Sequence, residues 1–137
     1  CRGRRQHGGR GLSPAHGPAS RTVLVTGATR GLGRRTAELL AAALAGCLLK
    51  GLERASAMMP FSYDSAEVHV TAHRQDVPPK FTDLVYEIRL VTDEPPRRID
   101  LLHRNLRQFG TITNTLAAAC NVRGTIAVAA VSGTVEA

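Results

Sequence analysis

The 137-residue chain is long enough for one domain with a single hydrophobic core and too short for two full-sized domains. Its net charge of +7 is concentrated at the start, because eight arginines and no acid precede Glu38, whereas the rest of the chain is close to neutral. This distribution argues against a basic stripe on the folded body, so we expect no nucleic-acid partner. The apolar run over residues 39–49 is far shorter than the roughly 20 residues of a membrane span, so we expect no membrane association.

The first 21 residues are rich in glycine, proline and arginine and show no apolar periodicity. A segment of this composition buries too little surface to offset the entropy of ordering, so residues 1–21 are predicted to be a disordered basic tail.

Residues 22–36 form a glycine-rich segment. Thr26, Gly27, Gly31 and Gly33 spell T-G-x-x-x-G-x-G, which resembles the first strand–turn–helix unit of short-chain dehydrogenases. No Tyr-x-x-x-Lys pair follows, and after the helix we expect a hairpin in place of the parallel strand that a dinucleotide fold requires. The sequence therefore predicts no cofactor, and an NAD(P)-binding dehydrogenase fragment remains an alternative.

The body of the chain alternates helical and strand patterns. Residues 34–57 predict a helix that is apolar nearly all round and therefore central to the core. Period-two alternation predicts two strands joined by a Pro-containing hairpin, followed by an amphipathic helix, a short helix and a last strand, over residues 66–74, 81–91, 99–109, 112–120 and 124–131. On the amphipathic helix, His103 is expected to face solvent. The predicted order is helix, strand, strand, helix, helix, strand.

The cysteines do not predict a disulfide framework. They are three in number, an odd count, with no C-x-x-C pair and no zinc-ligand spacing. A reducing cytoplasm is the expected location. His69 and His73 share one face of a predicted strand but do not converge, so no metal site is predicted.

Three stretches resemble the OsmC/Ohr family: AELLAAALAGCLLKGLERA from Ala37, AEVHVTAHRQDVPPKFTDLVYEIRLV from Ala66, and LLHRNLRQFGTITNTLAAACNVRGTIAV from Leu101. The resemblance implies that residues 37–137 are an OsmC-like domain with an α+β fold, in which a central buried helix packs on an antiparallel sheet. It implies that the family's N-terminal strands are missing or replaced in this chain. It further implies a homodimer and thiol-dependent reduction of organic hydroperoxides.

The resemblance also implies a catalytic residue. In the family, a cysteine on the central helix attacks the peroxide O–O bond, and Cys47 occupies that position; its place among leucines equally fits core packing. The family's second cysteine corresponds to Gly110, and Cys120 is expected to be a core residue. The family's catalytic glutamate corresponds to Ala37, with Glu38 one residue away. The arginine that stabilises the family's thiolate belongs to the replaced N-terminal region, so no cation is expected near the thiol.

These features predict an OsmC-like protein with weakened or lost two-cysteine chemistry that uses a small thiol or dithiol as reductant. One alternative is a non-enzymatic dimeric scaffold or a binder of a small apolar ligand. The other is the dehydrogenase fragment.

Overall fold

The structure, a computed structural model, describes residues 20–26 and 32–131. Its elements are β1 (Ser20–Thr26), α1 (Leu32–Met58), β2 (Ser65–Gln75), β3 (Lys80–Val91), α2 (Pro96–Phe109), α3 (Thr111–Ala117) and β4 (Asn121–Ala129). The predicted helices and strands of the body are all present, with boundaries within a few residues of those expected. The predicted tail lies outside the described residues, apart from Ser20 and Arg21, which begin β1. Gly27 and Gly31 of the glycine motif also lie outside the described residues.

The four strands form one mixed sheet in the order β1-β2-β3-β4, and three helices accompany it, so the α+β class is confirmed. The expected antiparallel pairing occurs at the centre, where the β2–β3 hairpin places Val68 opposite Ile88. Both outer pairs are parallel. They are parallel because α1 links β1 to β2 and the α2–α3 pair links β3 to β4, and a helical crossover returns the chain in its original direction.

The pairing of β1 with β2 corrects one expectation from the sequence. A parallel strand does follow the long helix, with Val23 opposite Val68 and Thr26 opposite Thr71. The hairpin signal at β2–β3 was correct, but the first strand of that hairpin also pairs on its other side. Within the described residues β1 is an edge strand with one neighbour. A dinucleotide crevice needs strands on both sides of its switch point, whereas among the described strands β1 pairs with β2 alone.

The core lies between the sheet and α1. Leu44, Leu48 and Leu52 of α1 are buried, and they pack with the inward-facing residues of β2 and β3, which include Val70 and Tyr86. The expected burial of α1 therefore holds for the side that faces the sheet. The opposite side is open, because the residues described here supply no second layer over it: Leu39 is 71% exposed and Ala42, Ala43 and Gly46 are exposed as well.

Two glycines permit close approaches between elements. A Cβ at Gly51 of α1 would lie 2.9 Å from Leu106 Cδ2, so α2 packs directly over the α1 backbone there. A Cβ at Gly124 of β4 would lie 2.3 Å from Tyr86 Cδ2, so the tyrosine ring occupies the space above the glycine. In the described part of the chain, no helix has the length and apolar character needed to cross a bilayer.

Candidate functional site

A groove of about 350 Å³ runs between α1 and the junction of α2 with α3. One wall is a stripe of α1 at helical spacing, and the other is the chain where α2 ends and α3 begins. The lining residues are Ala43, Cys47, Lys50, Gly51, Arg54, Phe109, Gly110, Thr111 and Ile112. Most of these present carbon atoms, so the groove is apolar apart from its sulfur and its two cations.

Cys47 is half-buried on the α1 wall and is not part of a disulfide. It lies at the boundary between the buried and the open side of the helix, beside the fully buried Leu44 and Leu48. Cys47 is thus neither a fully buried core residue nor a fully exposed one, and it is part of the lining of the groove.

Two basic residues share the α1 wall with Cys47, three and seven positions further along the helix. Arg54 is held in place: Nη1 donates to the Phe109 carbonyl oxygen at 3.1 Å and Nη2 donates to Asn105 Oδ1 at 3.3 Å. Its guanidinium carbon is 5.5 Å from the centre of the Phe109 ring, a cation–π contact. Lys50 is 80% exposed, and its Nζ lies 3.0 Å from Glu53 Oε2.

Lys50 and Arg54 place two positive charges on the lining of the groove that contains Cys47. The expectation of no cation near the thiol concerned an arginine on an N-terminal strand, whereas these two residues lie on the helix that carries Cys47. Residues at i, i+3 and i+7 of a helix share a face, so the spacing of Cys47, Lys50 and Arg54 was the signal that could have located them.

Gly110 lies on the opposite wall of the same groove. The position that corresponds to the family's second cysteine is therefore brought to the same groove as Cys47, but it carries no thiol. A Cβ added to Gly110 would lie 2.7 Å from Thr113 Oγ1 and 2.9 Å from the Leu106 carbonyl oxygen. The surroundings of Gly110 are thus fitted to glycine, and within the described chain the groove contains Cys47 as its single sulfur.

Cys120 lies elsewhere, between α3 and β4. It is half-buried against the core, and its Sγ donates to the Leu116 carbonyl oxygen at 3.4 Å. Burial raises the pKa of the Cys120 thiol, and the Asp83 carboxylate raises it further, so this residue stays protonated at neutral pH. Its contacts agree with the core role expected for it, and it does not line the groove.

The family's glutamate has no counterpart in the groove. Ala37 is buried at 4% exposure, and neither it nor Glu38 lines the groove. The carboxylate of Glu53, also on α1, lies 3.0 Å from Lys50 Nζ.

His103 corrects a further expectation. It is half-buried, with Nε2 2.8 Å from the hydroxyl of the buried Tyr86 and the two rings edge to face. Burial lowers the pKa of His103, and the neighbouring Arg107 lowers it further. The Nε2 of a neutral imidazole can accept a hydrogen bond from the Tyr86 hydroxyl, so the pair is a partly buried polar contact between α2 and β3. Within residues 20–26 and 32–131, no group of three or more histidine, cysteine or acidic side chains could hold a metal ion.

The chain resembles solved structures at low sequence identity. An OsmC-like protein from Mycoplasma pneumoniae matches with a TM-score of 0.61 and 14% identity, over 66% of this chain and 68% of that one. An organic hydroperoxide resistance protein OsmC from Legionella pneumophila matches with a TM-score of 0.59 and 15% identity, over 66% and 67%. The organic hydroperoxide resistance protein OhrB of Bacillus subtilis matches with a TM-score of 0.53 and 16% identity, over 65% and 67%.

These likenesses establish the fold. The chain spans 65% of the length of a similar structure from Psychrobacter arcticus and 67–68% of the three structures above. Comparison with curated proteins finds no significant match. The family model for OsmC-like proteins matches residues 31–124, a region that includes α1, the groove and most of the sheet. The chain therefore belongs to the OsmC-like protein family.

Proposed function

We propose that this protein reduces organic hydroperoxides at Cys47 and that an external thiol returns Cys47 to its reduced form. The observation that carries the proposal is the position of Cys47, a half-buried thiol at the side of a largely apolar groove. Such a groove accommodates the carbon skeleton of an alkyl hydroperoxide while its O–O bond meets the sulfur. The names of the hydroperoxide resistance proteins that share the fold support the same chemistry.

The reaction has two steps. The Cys47 thiolate attacks the terminal peroxide oxygen, so the O–O bond breaks and Cys47 becomes a sulfenic acid. The departing alkoxide takes a proton from water and leaves as an alcohol. A thiol then attacks the sulfenic sulfur, releasing water and forming a mixed disulfide, and a second thiol completes the reduction. Because Gly110 offers no second thiol, both reducing equivalents come from outside the groove. A reducing compartment such as the cytoplasm supplies them.

Two differences from the pattern expected of the family make the proposed activity weaker than that of a two-cysteine enzyme. An internal second thiol acts at a high effective concentration, which a free thiol in solution does not reach. Ala37 occupies the position expected for the glutamate and is buried, so this position supplies no carboxylate to orient the peroxide or the neighbouring cation.

The proposal is tested by mass spectrometry after brief exposure of the folded protein to cumene hydroperoxide and a sulfenic-acid trap. We expect the trap on Cys47 and none on Cys120, whose burial and raised pKa make it an internal control in the same molecule. Denaturation should remove the difference between the two, and Cys47→Ser should remove the labelling. Equal labelling of both cysteines, or none, would instead favour a scaffold that keeps the fold without the chemistry.

We further propose that the protein is a homodimer. The open side of α1 carries Leu39, Ala42, Ala43 and Gly46 at i, i+3, i+4 and i+7, an apolar stripe that faces water in a single chain. A second copy covering this stripe would bury it.

A further inference from the structure

We infer that the reductant of Cys47 is a small thiol that carries a carboxylate, which contacts Lys50 in the groove, while Arg54 adds to the positive charge of the lining. This inference rests on the proposed function, because it concerns the second half of that reaction. Its basis is the charge of the groove: the lining contains two cations and no acidic side chain. A negatively charged thiol therefore gains attraction there, and a positively charged thiol is repelled.

Both cations have donors to spare. A guanidinium has five N–H groups, and Arg54 uses Nη1 for Phe109 and Nη2 for Asn105, which leaves other N–H groups for a ligand. The two bonds and the Phe109 ring fix its position, so little entropy is lost when an anion binds. Lys50 has three N–H donors, of which one faces Glu53, and its 80% exposure leaves the others accessible.

The spacing along α1 suits a short ligand. Lys50 is one turn from Cys47, or about 5 Å of helix rise, and Arg54 is two turns away, or about 10 Å. A thiol with two or three bonds between its sulfur and its carboxyl carbon spans the first distance. Its carboxylate can then contact the Lys50 ammonium while its sulfur lies against the Cys47 sulfenic acid.

The thiol has to come from solution, because Gly110 on the wall opposite Cys47 carries no sulfur. The space beside Gly110 is filled by Thr113 and the Leu106 carbonyl oxygen, so the incoming thiol lies in the groove itself. There it attacks the Cys47 sulfur. Its sulfur forms the new S–S bond, the sulfenic hydroxyl leaves with a proton as water, and a second molecule of the same thiol releases Cys47 and the symmetrical disulfide.

The experiment measures thiol exchange at Cys47 with three probes of different charge: 3-mercaptopropionate, 2-mercaptoethanol and cysteamine. Cys47 is first converted to a mixed disulfide with thiopyridine, and the release of thiopyridone gives the rate for each probe, after subtraction of the Cys47→Ser signal. Because the disulfide is prepared chemically, the readout does not require hydroperoxide activity. Dividing the rate of each variant by the wild-type rate cancels the intrinsic reactivity of each probe.

We expect Lys50→Glu to slow 3-mercaptopropionate by about fivefold, to change 2-mercaptoethanol by less than about twofold and to accelerate cysteamine, because the sign of one charge near the sulfur is reversed. The matched control is Lys80→Glu, since Lys80 is the only other lysine of the chain and lies at the start of β3, outside the groove lining. High salt should reduce the wild-type preference for the anionic probe.

Equal effects of Lys50→Glu on all three probes, or the same effects from Lys80→Glu, would overturn the inference. The two proposals can fail separately. If charge selectivity is present but hydroperoxide does not oxidise Cys47, the proposed function is wrong and the groove is an anionic-thiol site without peroxidase chemistry. If Cys47 is oxidised but shows no selectivity, the peroxidase proposal stands and the choice of reductant is wrong.

Discussion

Among single residues, His103 makes the free energy of unfolding depend on pH. Its lowered pKa means that the unfolded chain, in which histidine titrates near 6.5, takes up a proton before the folded protein does. The free energy of unfolding should therefore be constant above about pH 6.5 with respect to this group, and should decrease as the pH falls below that value. The protonated ring would also lose the Tyr86 hydroxyl as a donor.

The measurement is urea unfolding between pH 7.5 and 5. His103→Gln, which cannot titrate, should show a shallower loss of stability across that range than the wild type. His73→Gln is the control, because His73 lies on the exposed end of β2. Identical slopes for His103→Gln and the wild type would mean that the buried pair does not couple protonation to folding.

At the scale of an element, the packing of β4 against β3 requires a glycine at one position. Gly124 lies opposite Tyr86 in the β3–β4 register, and the tyrosine ring and backbone fill the volume that a Cβ would need, with contacts at 2.3 Å. Gly124→Ala should therefore lower the free energy of unfolding by about 1–3 kcal/mol, the usual cost of inserting a methyl group into a packed site.

Gly46→Ala is the matched control for this change. In a single chain a Cβ at Gly46 would contact nothing within 4 Å, and the residue lies inside α1. In the Leu39→Glu background, which removes the proposed dimer, alanine should therefore raise stability by about 0.5–1 kcal/mol through helix propensity. Thermal or urea unfolding of the two variants should thus give shifts of opposite sign. A neutral Gly124→Ala would mean that β4 or the Tyr86 ring moves away at little cost.

For the whole molecule, the apolar stripe of α1 determines the expected assembly. Leu39→Glu places a charge at the leucine of the stripe, which is 71% exposed in a single chain. It should dissociate the proposed dimer, as measured by sedimentation velocity. Val77→Glu is a fitting control, since Val77 is 90% exposed at the β2–β3 turn and lies outside the stripe. A wild-type protein that sediments as a monomer at micromolar concentration would remove the basis for the dimer.

The sequence predicted elements better than their arrangement. Periodicity located α1, β2, β3, α2, α3 and β4, because the alternation of apolar residues follows directly from which side of each element is buried. The pairing of β1 with β2 could not be obtained in this way, since parallel partners are distant in sequence and no local pattern encodes their register.

For the candidate site, too, local features were predictable from the sequence and contacts between distant residues were not. Cys47 could be identified within its helix through the family resemblance. The meeting of Cys47 with Gly110 requires α1, α2 and α3 to pack together, a contact between residues far apart in the chain. The anchoring of Arg54 by Phe109 and Asn105 has the same origin, and for that reason it appears only in the folded structure.

The order of the strands in space is the same as their order in the chain. As the polypeptide leaves the ribosome, each new strand finds the strand it must join already synthesised beside it, and none has to wait for a later segment or be inserted between two earlier ones. The sheet can therefore grow outward during translation, with β4 added last onto a β2–β3 hairpin that is already covered by α1.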